Sequence, residues 1–359
     1  MAALGALIFA ASCAEDGLDV TGKTTEVTFT VAAPSSIQSK ANLNFENGVS
    51  TIANGQNTDS LYYAIYGGED FDKVLGKGDA KGSVSSEGNM TFTITLNLII
   101  DQPYSIIFWA HESGAGEKYF DISDLTKVKI RNNYSGFEAN DESRAAFYAH
   151  YDIKPTVNAD LQKVTLKRPF AQLNLGTTTL ESSLTERIKV QTTTVKINNV
   201  PIANAFNTVD GVGEGDSNLK EVTFVAAPTP HGDQDNETAE NGGQLLKVKN
   251  STTGKYETYH WIGMNYLIAV GSLTDIVTSV DVYIQTNAGN VTHTVKNVPL
   301  RQNYRTNLLG NFLTTGVDFN IVVDKLFESD REDATEDDYI FDNDEQKWNK
   351  DEQEWNKTN

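Results

Sequence analysis

Cysteine is almost missing from this chain of 359 residues, and Cys13 is the one copy. A single cysteine excludes an internal disulfide and a multi-cysteine metal site. Positive charge is scarce too. Lys and Arg number 29 against 49 Asp and Glu, a formal net charge of −20. That balance argues against nucleic acid as a partner and against electrostatic binding to anionic lipid. After Cys13 no apolar run approaches the roughly 20 residues that cross a bilayer as a helix. The five histidines (His111, His150, His231, His260, His293) include no HExxH pair, and none stands at a standard interval from another metal-type ligand. There is no GxSxG, phosphate-binding glycine loop or dinucleotide fingerprint. GVGEGD (Gly211 to Asp216) lacks both a strand-to-helix context and a lysine, so it reads as a loop. DQDNETAEN (Asp233 to Asn241) alternates oxygen ligands but lacks the EF-hand glycine and terminal Glu, and reads as a polar loop. A turn and a helix start explain Glu69-Asp70 and Asp141-Glu142 better than a glycosidase carboxylate pair does. These absences point away from an enzyme, and nothing calls for a cofactor or metal.

What the chain does have is β texture: Thr, Val, Ile, Tyr and Phe in short alternating runs between clusters of Gly, Asn, Asp and Pro. In MTFTITLNL (Met90 to Leu98) the alternation sends Phe92, Ile94, Leu96 and Leu98 to a core and the Thr and Asn residues to water. YSIIFWA (Tyr104 to Ala110) is more continuously apolar, as a central strand is. EVTFTVA (Glu26 to Ala32) reads as an edge strand, and LYYAIY (Leu61 to Tyr66) as another strand with Tyr62 and Tyr63 on opposite faces. NDESRAAFYAH is expected to be a helix, with Asn140 or Asp141 as N-cap and acidic residues in its first turn. A short helix is expected near Leu180 to Arg187. Strands resume beyond it, so the class is all-β with a few short helices, arranged as β-sandwiches. Residues 26–165 and 166–327 form two halves of similar size. In the second, Phe170, Leu173, Leu175 and Tyr304 are expected in the core, Pro169 suits a strand start, and Arg301 and Arg305 are expected near the surface. Residues 328–359 hold 13 acidic and 4 basic side chains and end in a duplication, DEQKWNK then DEQEWNK. So acidic a segment is expected to be a disordered tail.

The first thirteen residues, MAALGALIFAASC, pose a separate question. The apolar run Ala2 to Ala11 is too short to span a bilayer but fits the h-region of a secretory signal. Cys13 can be a buried thiol, a nucleophile or a modified residue. Polar Ala14-Glu15-Asp16-Gly17 follows it, which disfavours burial, and the adjacent charges are acidic, which disfavours a lowered thiol pKa. Small residues Ala10, Ala11 and Ser12 precede it as a peptidase requires. The segment resembles a bacterial lipobox, in which the cysteine is acylated and becomes the mature N-terminus. Residues 1–12 are then the signal peptide and 13–25 a linker.

Several longer stretches resemble the fimbrillin-type surface lipoproteins of Bacteroidales. They are YSIIFWA, ANDESRAAFYA (Ala139 to Ala149), LKRPFAQLNLGT (Leu166 to Thr177), WIGMNYLIA (Trp261 to Ala269) and VPLRQNYRTNLLGNFLTTGVDFNIVVD (Val298 to Asp324). The resemblance implies two tandem transthyretin-like β-sandwiches and export to the outer membrane on a lipid anchor at Cys13. It implies a surface-exposed subunit or adhesin, with other fimbrial subunits as partners. In pilus-forming relatives a trypsin-like protease cuts after Arg or Lys in the loop following the first strand, and a strand from another subunit refills the groove. Lys40 followed by Ala41 stands at the corresponding place here. The acidic Glu15 and Asp16 resemble signals that route such lipoproteins to the cell surface. The alternative is a monomeric binding module for a glycan or host ligand, with Tyr62, Tyr63, Trp109 and Trp261 as candidate contacts.

Overall fold

The computed structural model of the chain describes residues 22–33, 58–85, 89–139, 141–157, 161–177, 190–198, 202–215, 220–226, 245–249, 256–268, 270, 276–313, 319–324, 339–341, 346–349 and 354–357. Cys13, Lys40, Ala41, the expected helix Leu180 to Arg187 and the loop Asp233 to Asn241 lie outside the described residues.

The fold is all-β. Up to residue 165 the strands are β1 (Thr24–Ala33), β2 (Ser60–Gly67), β3 (Asp70–Lys81), β4 (Ser83–Val84), β5 (Met90–Ile99), β6 (Tyr104–His111), β7 (Phe120–Asp121), β8 (Lys127–Ile130), β9 (Ala146–Ile153) and β10 (Gln162–Thr165). One helical turn, α1 (Gly116–Tyr119), precedes β7. Two four-stranded sheets, ordered β10-β1-β5-β4 and β3-β2-β6-β9, pack face to face. Alternation decides what lies between them. Phe92, Ile94, Leu96 and Leu98 of β5 are buried in one core with Val27, Phe29 and Val31 of β1 and with Leu61, Tyr63, Ile106 and Phe108 of the facing sheet. Thr93, Thr95 and Asn97 point to water.

β6 is buried throughout because it serves two cores. Its Ile106 and Phe108 face the first, whereas Ile107 and Trp109 join Ala64 and Tyr66 of β2 in a second. A strand covered on both faces reads as a continuous apolar run, which is what YSIIFWA is.

The expected helix at NDESRAAFYAH is instead a single 3-10 turn, Glu142–Arg144, followed by strand β9. The cap signal is real but short: Asp141 Oδ1 accepts the Ser143 backbone N–H at 3.0 Å. Pairing then wins over alanine's helix propensity, since β9 runs antiparallel to β6 with Trp109 opposite Tyr148 and Phe108 opposite Ala149.

The second half contains β11 (Ala171–Thr177), β12 (Val190–Asn198), β13 (Ala205–Asn207), β14 (Val212–Glu214), β15 (Glu221–Ala226), β16 (Leu245–Lys249), β17 (Tyr256–Leu267), β18 (Ile276–Thr286), β19 (Gly289–Leu300), β20 (Arg305–Gly310) and β21 (Asn320–Asp324). Pro169 falls just before β11, as expected of a strand start. Sheet β15-β12-β18-β19 packs on a second sheet that contains β16-β17-β11-β20-β21 in that order. Val195, Ile197, Val280 and Val282 share a core with Leu173, Leu175 and Leu308. Phe170 and Tyr304 are buried as the sequence indicates. Arg305 is a correction: it is 1% exposed, because β20 lies inside its sheet between β11 and β21. Arg301 stays partly exposed, its guanidinium 4.1 Å from the Tyr304 ring centroid.

A small sheet, β14-β13-β8-β7, joins strands from both halves, with Val128 of β8 opposite Phe206 of β13. GVGEGD is therefore only partly a loop. Gly211 turns at φ +70° between β13 and β14, with the Tyr148 hydroxyl 2.8 Å from where a Cβ would sit. The second core continues from the outer face of β2 and β6 through Phe206 into the second half. Where a disordered tail is expected, the described residues form short strands. β22 (Tyr339–Phe341) pairs with β21, and β23 (Gln346–Asn349) pairs with β24 (Glu354–Lys357), Trp348 opposite Trp355.

Candidate functional site: the slot of the first strand

β1 is an inner strand, which corrects the edge position expected from sequence. On one side it runs antiparallel to β5 over its whole length, from Thr24 opposite Ile99 to Ala33 opposite Met90. On the other it runs parallel to β10, from Phe29 opposite Gln162 to Ala32 opposite Thr165. The ladder continues past β10, where the Leu166 N–H donates to the Ala32 carbonyl at 2.8 Å. Val27, Phe29, Val31 and Ala33 are 0% exposed. Phe29 anchors the strand, packing edge-on to Tyr151 at 5.8 Å and tilted against Phe108 at 6.2 Å. The opposite face is polar, with Thr28 and Thr95 hydroxyls 3.2 Å apart. Take β1 away and two bare backbone edges remain, on β5 and β10, beside an apolar trough. The sequence shows β1 as amphipathic, but its parallel partner lies about 130 positions away in the chain and has no local signal.

The aromatic residues proposed for a ligand platform do not form one. Tyr63 and Trp109 are buried in different cores. Tyr62 is half-buried, donates to Glu117 at 3.0 Å, and is pushed up to about 12 by burial and that carboxylate. The Trp261 side chain lies outside the described residues. Among the described residues no group of three or more His, Cys, Asp or Glu is placed to share a metal ion. No helix among them is long and apolar enough to cross a membrane. Asp70 and Asp141 are turn caps, each accepting the backbone N–H two residues on.

A sequence profile of a family of unknown function, DUF6562, matches residues 19–347. The chain belongs to that family. No curated protein matches this DUF6562 chain in sequence. Among solved structures it is similar to a fimbrial assembly protein from Parabacteroides distasonis, at 8% identity and TM-score 0.40, covering 84% of this chain and 96% of that one. It is also similar to the C-terminally truncated tip fimbrial protein from Porphyromonas gingivalis, at 11% identity and TM-score 0.41, covering 84% and 99%.

Three histidine side chains of this DUF6562 chain are described, and each has partners within the fold; His231 and the side chain of His260 lie outside the described residues. His150 lies on β9 rather than at a helix end, with Nε2 3.0 Å from Asp152 Oδ1 and Nδ1 3.1 Å from the Val209 carbonyl. His293 Nε2 lies 2.9 Å from the Phe312 carbonyl, and His260 lies on β17. His111 is fully buried. Trp109 Nε1–H donates to its Nδ1 at 3.2 Å, which leaves the proton of the neutral ring on Nε2, 3.4 Å from Glu117. A Cβ on Gly116 would fall 2.3 Å from the His111 ring, so only glycine fits there. Burial lowers the His111 pKa, outweighing the opposing pull of Glu117 and Asp59, while Lys81 lowers it further. An imidazole lowered in the fold binds its proton more readily when unfolded. Stability linked to it is therefore full above the ordinary imidazole value of 6.5 and declines as pH falls below it. Urea midpoints measured from about pH 7 to about pH 5 should fall more steeply for the parent than for His111→Gln. Parallel profiles would remove His111 from the acid response.

Proposed function

We propose that this chain is a fimbrillin-like cell-surface lipoprotein, a structural subunit or adhesin in pilus assembly, in which proteolysis after Lys40 releases the first strand and a strand from another subunit takes its place. Its two tandem sandwiches would be residues 26–165 and 166–327. The observation that carries the reading is the place of β1. It is an inner strand, followed in sequence by Lys40-Ala41 between its end at Ala33 and the start of β2 at Ser60. An edge strand can leave at the cost of one ladder. An inner strand leaves a two-sided slot, and a donor strand running in the same direction satisfies both β5 and β10. Cleavage after Lys40 frees β1 from β2 without touching any described strand.

In this reading Cys13 carries the lipid and holds the subunit on the outer membrane. Cys13→Ala, expressed with its leader, should move from the membrane to the aqueous phase on detergent partitioning. Brief trypsin treatment of the soluble protein should yield a fragment beginning at Ala41, and that fragment should form oligomers on size exclusion. Lys40→Ala should block both. A clean cut at Lys40 that leaves a stable monomer would overturn strand exchange.

A further inference from the structure

The outer face of sheet β15-β12-β18-β19 is solvent-facing, and strand register orders it into three rows. The middle row is Val225, Thr194, Tyr283 and Thr292, one residue from each strand in turn. Tyr283 is 43% exposed and Val225 48%, and Tyr283 is the one aromatic side chain left exposed among the described residues. Two positions along lies an uncharged row, Thr192, Gln285 and Asn290, where the Thr192 hydroxyl and the Gln285 amide oxygen are 3.2 Å apart. On the other side lie Thr223, Lys196, Asp281 and Thr294.

One pair of charges here is matched within the face, and a third group is held by neutral donors. Lys196 Nζ is 2.9 Å from Glu221, which holds the ammonium's pKa up, and Asp281 accepts from Thr294 and Asn198, both at 2.7 Å. The outward residues of the four strands include two cations (Lys196, Lys296) and two anions (Glu221, Asp281). Their sum is zero, on a chain of −20. A neutral face on so acidic a chain suits an uncharged ligand. One Tyr and one Val are too little apolar area for a protein interface, which needs a cluster of buried anchors. No net positive charge is present for an anion. A sugar ring matches: its C–H face lies on an exposed aromatic ring, and its hydroxyls both donate and accept, as Gln285, Asn290 and the threonines do. The rows extend about 14 Å across the sheet, room for more than one ring.

We propose that this face binds an uncharged saccharide chain laid along the row Val225–Thr194–Tyr283–Thr292, with the Tyr283 ring as its stacking platform. The site is on the second half of the chain and goes beyond subunit assembly, which uses the slot in the first.

Native electrophoresis in gels containing mannan, dextran or xylan tests it, with polygalacturonate as the anionic comparison. At least one neutral polysaccharide should slow the protein. Tyr283→Ala should weaken that retardation about tenfold, the loss of one aromatic contact, while Tyr283→Phe keeps it. Gln285→Ala should weaken it as well, and Lys40→Ala should leave it unchanged. Should the alanine variant fold poorly, Tyr283→Thr keeps a strand-favouring residue and gives the same reading. Free mobility in all three neutral gels, retardation by polygalacturonate alone, or retardation indifferent to the Tyr283 ring overturns the proposal.

Discussion

A chain that begins at Ala41 is expected to lose the cooperative unfolding of its first sandwich. It should regain it when a peptide of residues 24–33 is added. The missing strand removes three large buried side chains, Val27, Phe29 and Val31. At about 1.5–3 kcal/mol each that is roughly 5–9 kcal/mol. Whole domains are stable by only about 5–15 kcal/mol, so the loss is comparable to everything the sandwich has. Unpaired edges on β5 and β10 add to it. The peptide should act by register and not by composition. One with Val27, Phe29 and Val31 replaced by Thr presents a polar face to the trough and should fail. Thermal melts with and without peptide, alongside size exclusion, make the measurement. A monomer that melts like the parent with no peptide present would show that β1 is dispensable, and strand exchange would lose its driving force.

How much of this was legible in the residues depends on how local each signal is. β5 could be read side chain by side chain, because period-two alternation is a property of the segment alone. β6 was legible as a central strand for the related reason that a strand with two covered faces has few polar positions. Pairing was not legible. Val128 to Phe206 joins strands of four and three residues, too short for any period to register. β10 has four residues and pairs with a strand at the far end of the first half. β9 misled for a different reason: its cap residue Asp141 is genuine, but cross-strand partners on β6 outweigh alanine content. The slot was thus half visible, as an amphipathic first strand with a basic residue after it, and its inner position was not.

Buried arginines were the other blind spot, since charge alone predicts exposure. Arg144 is the instructive case. It is 3% exposed, and its guanidinium donates to the Glu138 carbonyl at 2.8 Å and to the Tyr266 carbonyl at 2.6 Å. Its Cζ also sits 5.1 Å from the Phe137 ring centroid and 4.7 Å from that of Phe224. Glu138 and Phe137 belong to the segment before β9, whereas Tyr266 is on β17 and Phe224 on β15. One side chain therefore ties the first half to both sheets of the second. Tyr134 makes a parallel tie, donating to the Ala203 carbonyl and accepting the Ile268 N–H. Burial pulls the Arg144 pKa down to about 10, still far above neutrality, so the cation persists and both hydrogen bonds are charge-assisted.

Such bonds contribute about 1.5–3 kcal/mol each, and truncation removes both together with the cover over two aromatic rings. Arg144→Ala is therefore expected to lower stability by about 3–5 kcal/mol in urea titrations. Arg144→Lys should recover only part of that, because an ammonium cannot hold two carbonyls in a planar fork while covering two rings. Arg144→Met restores packing but no donor, and should fall near the lysine variant. The loss should be directional as well. Hydrogen exchange at the Ile268 amide, beside the parallel tie, should accelerate more than exchange at Phe29 or Ile94 in the first core. A loss below about 1 kcal/mol in Arg144→Ala would mean that the aromatic packing and the Tyr134 tie hold the junction without it.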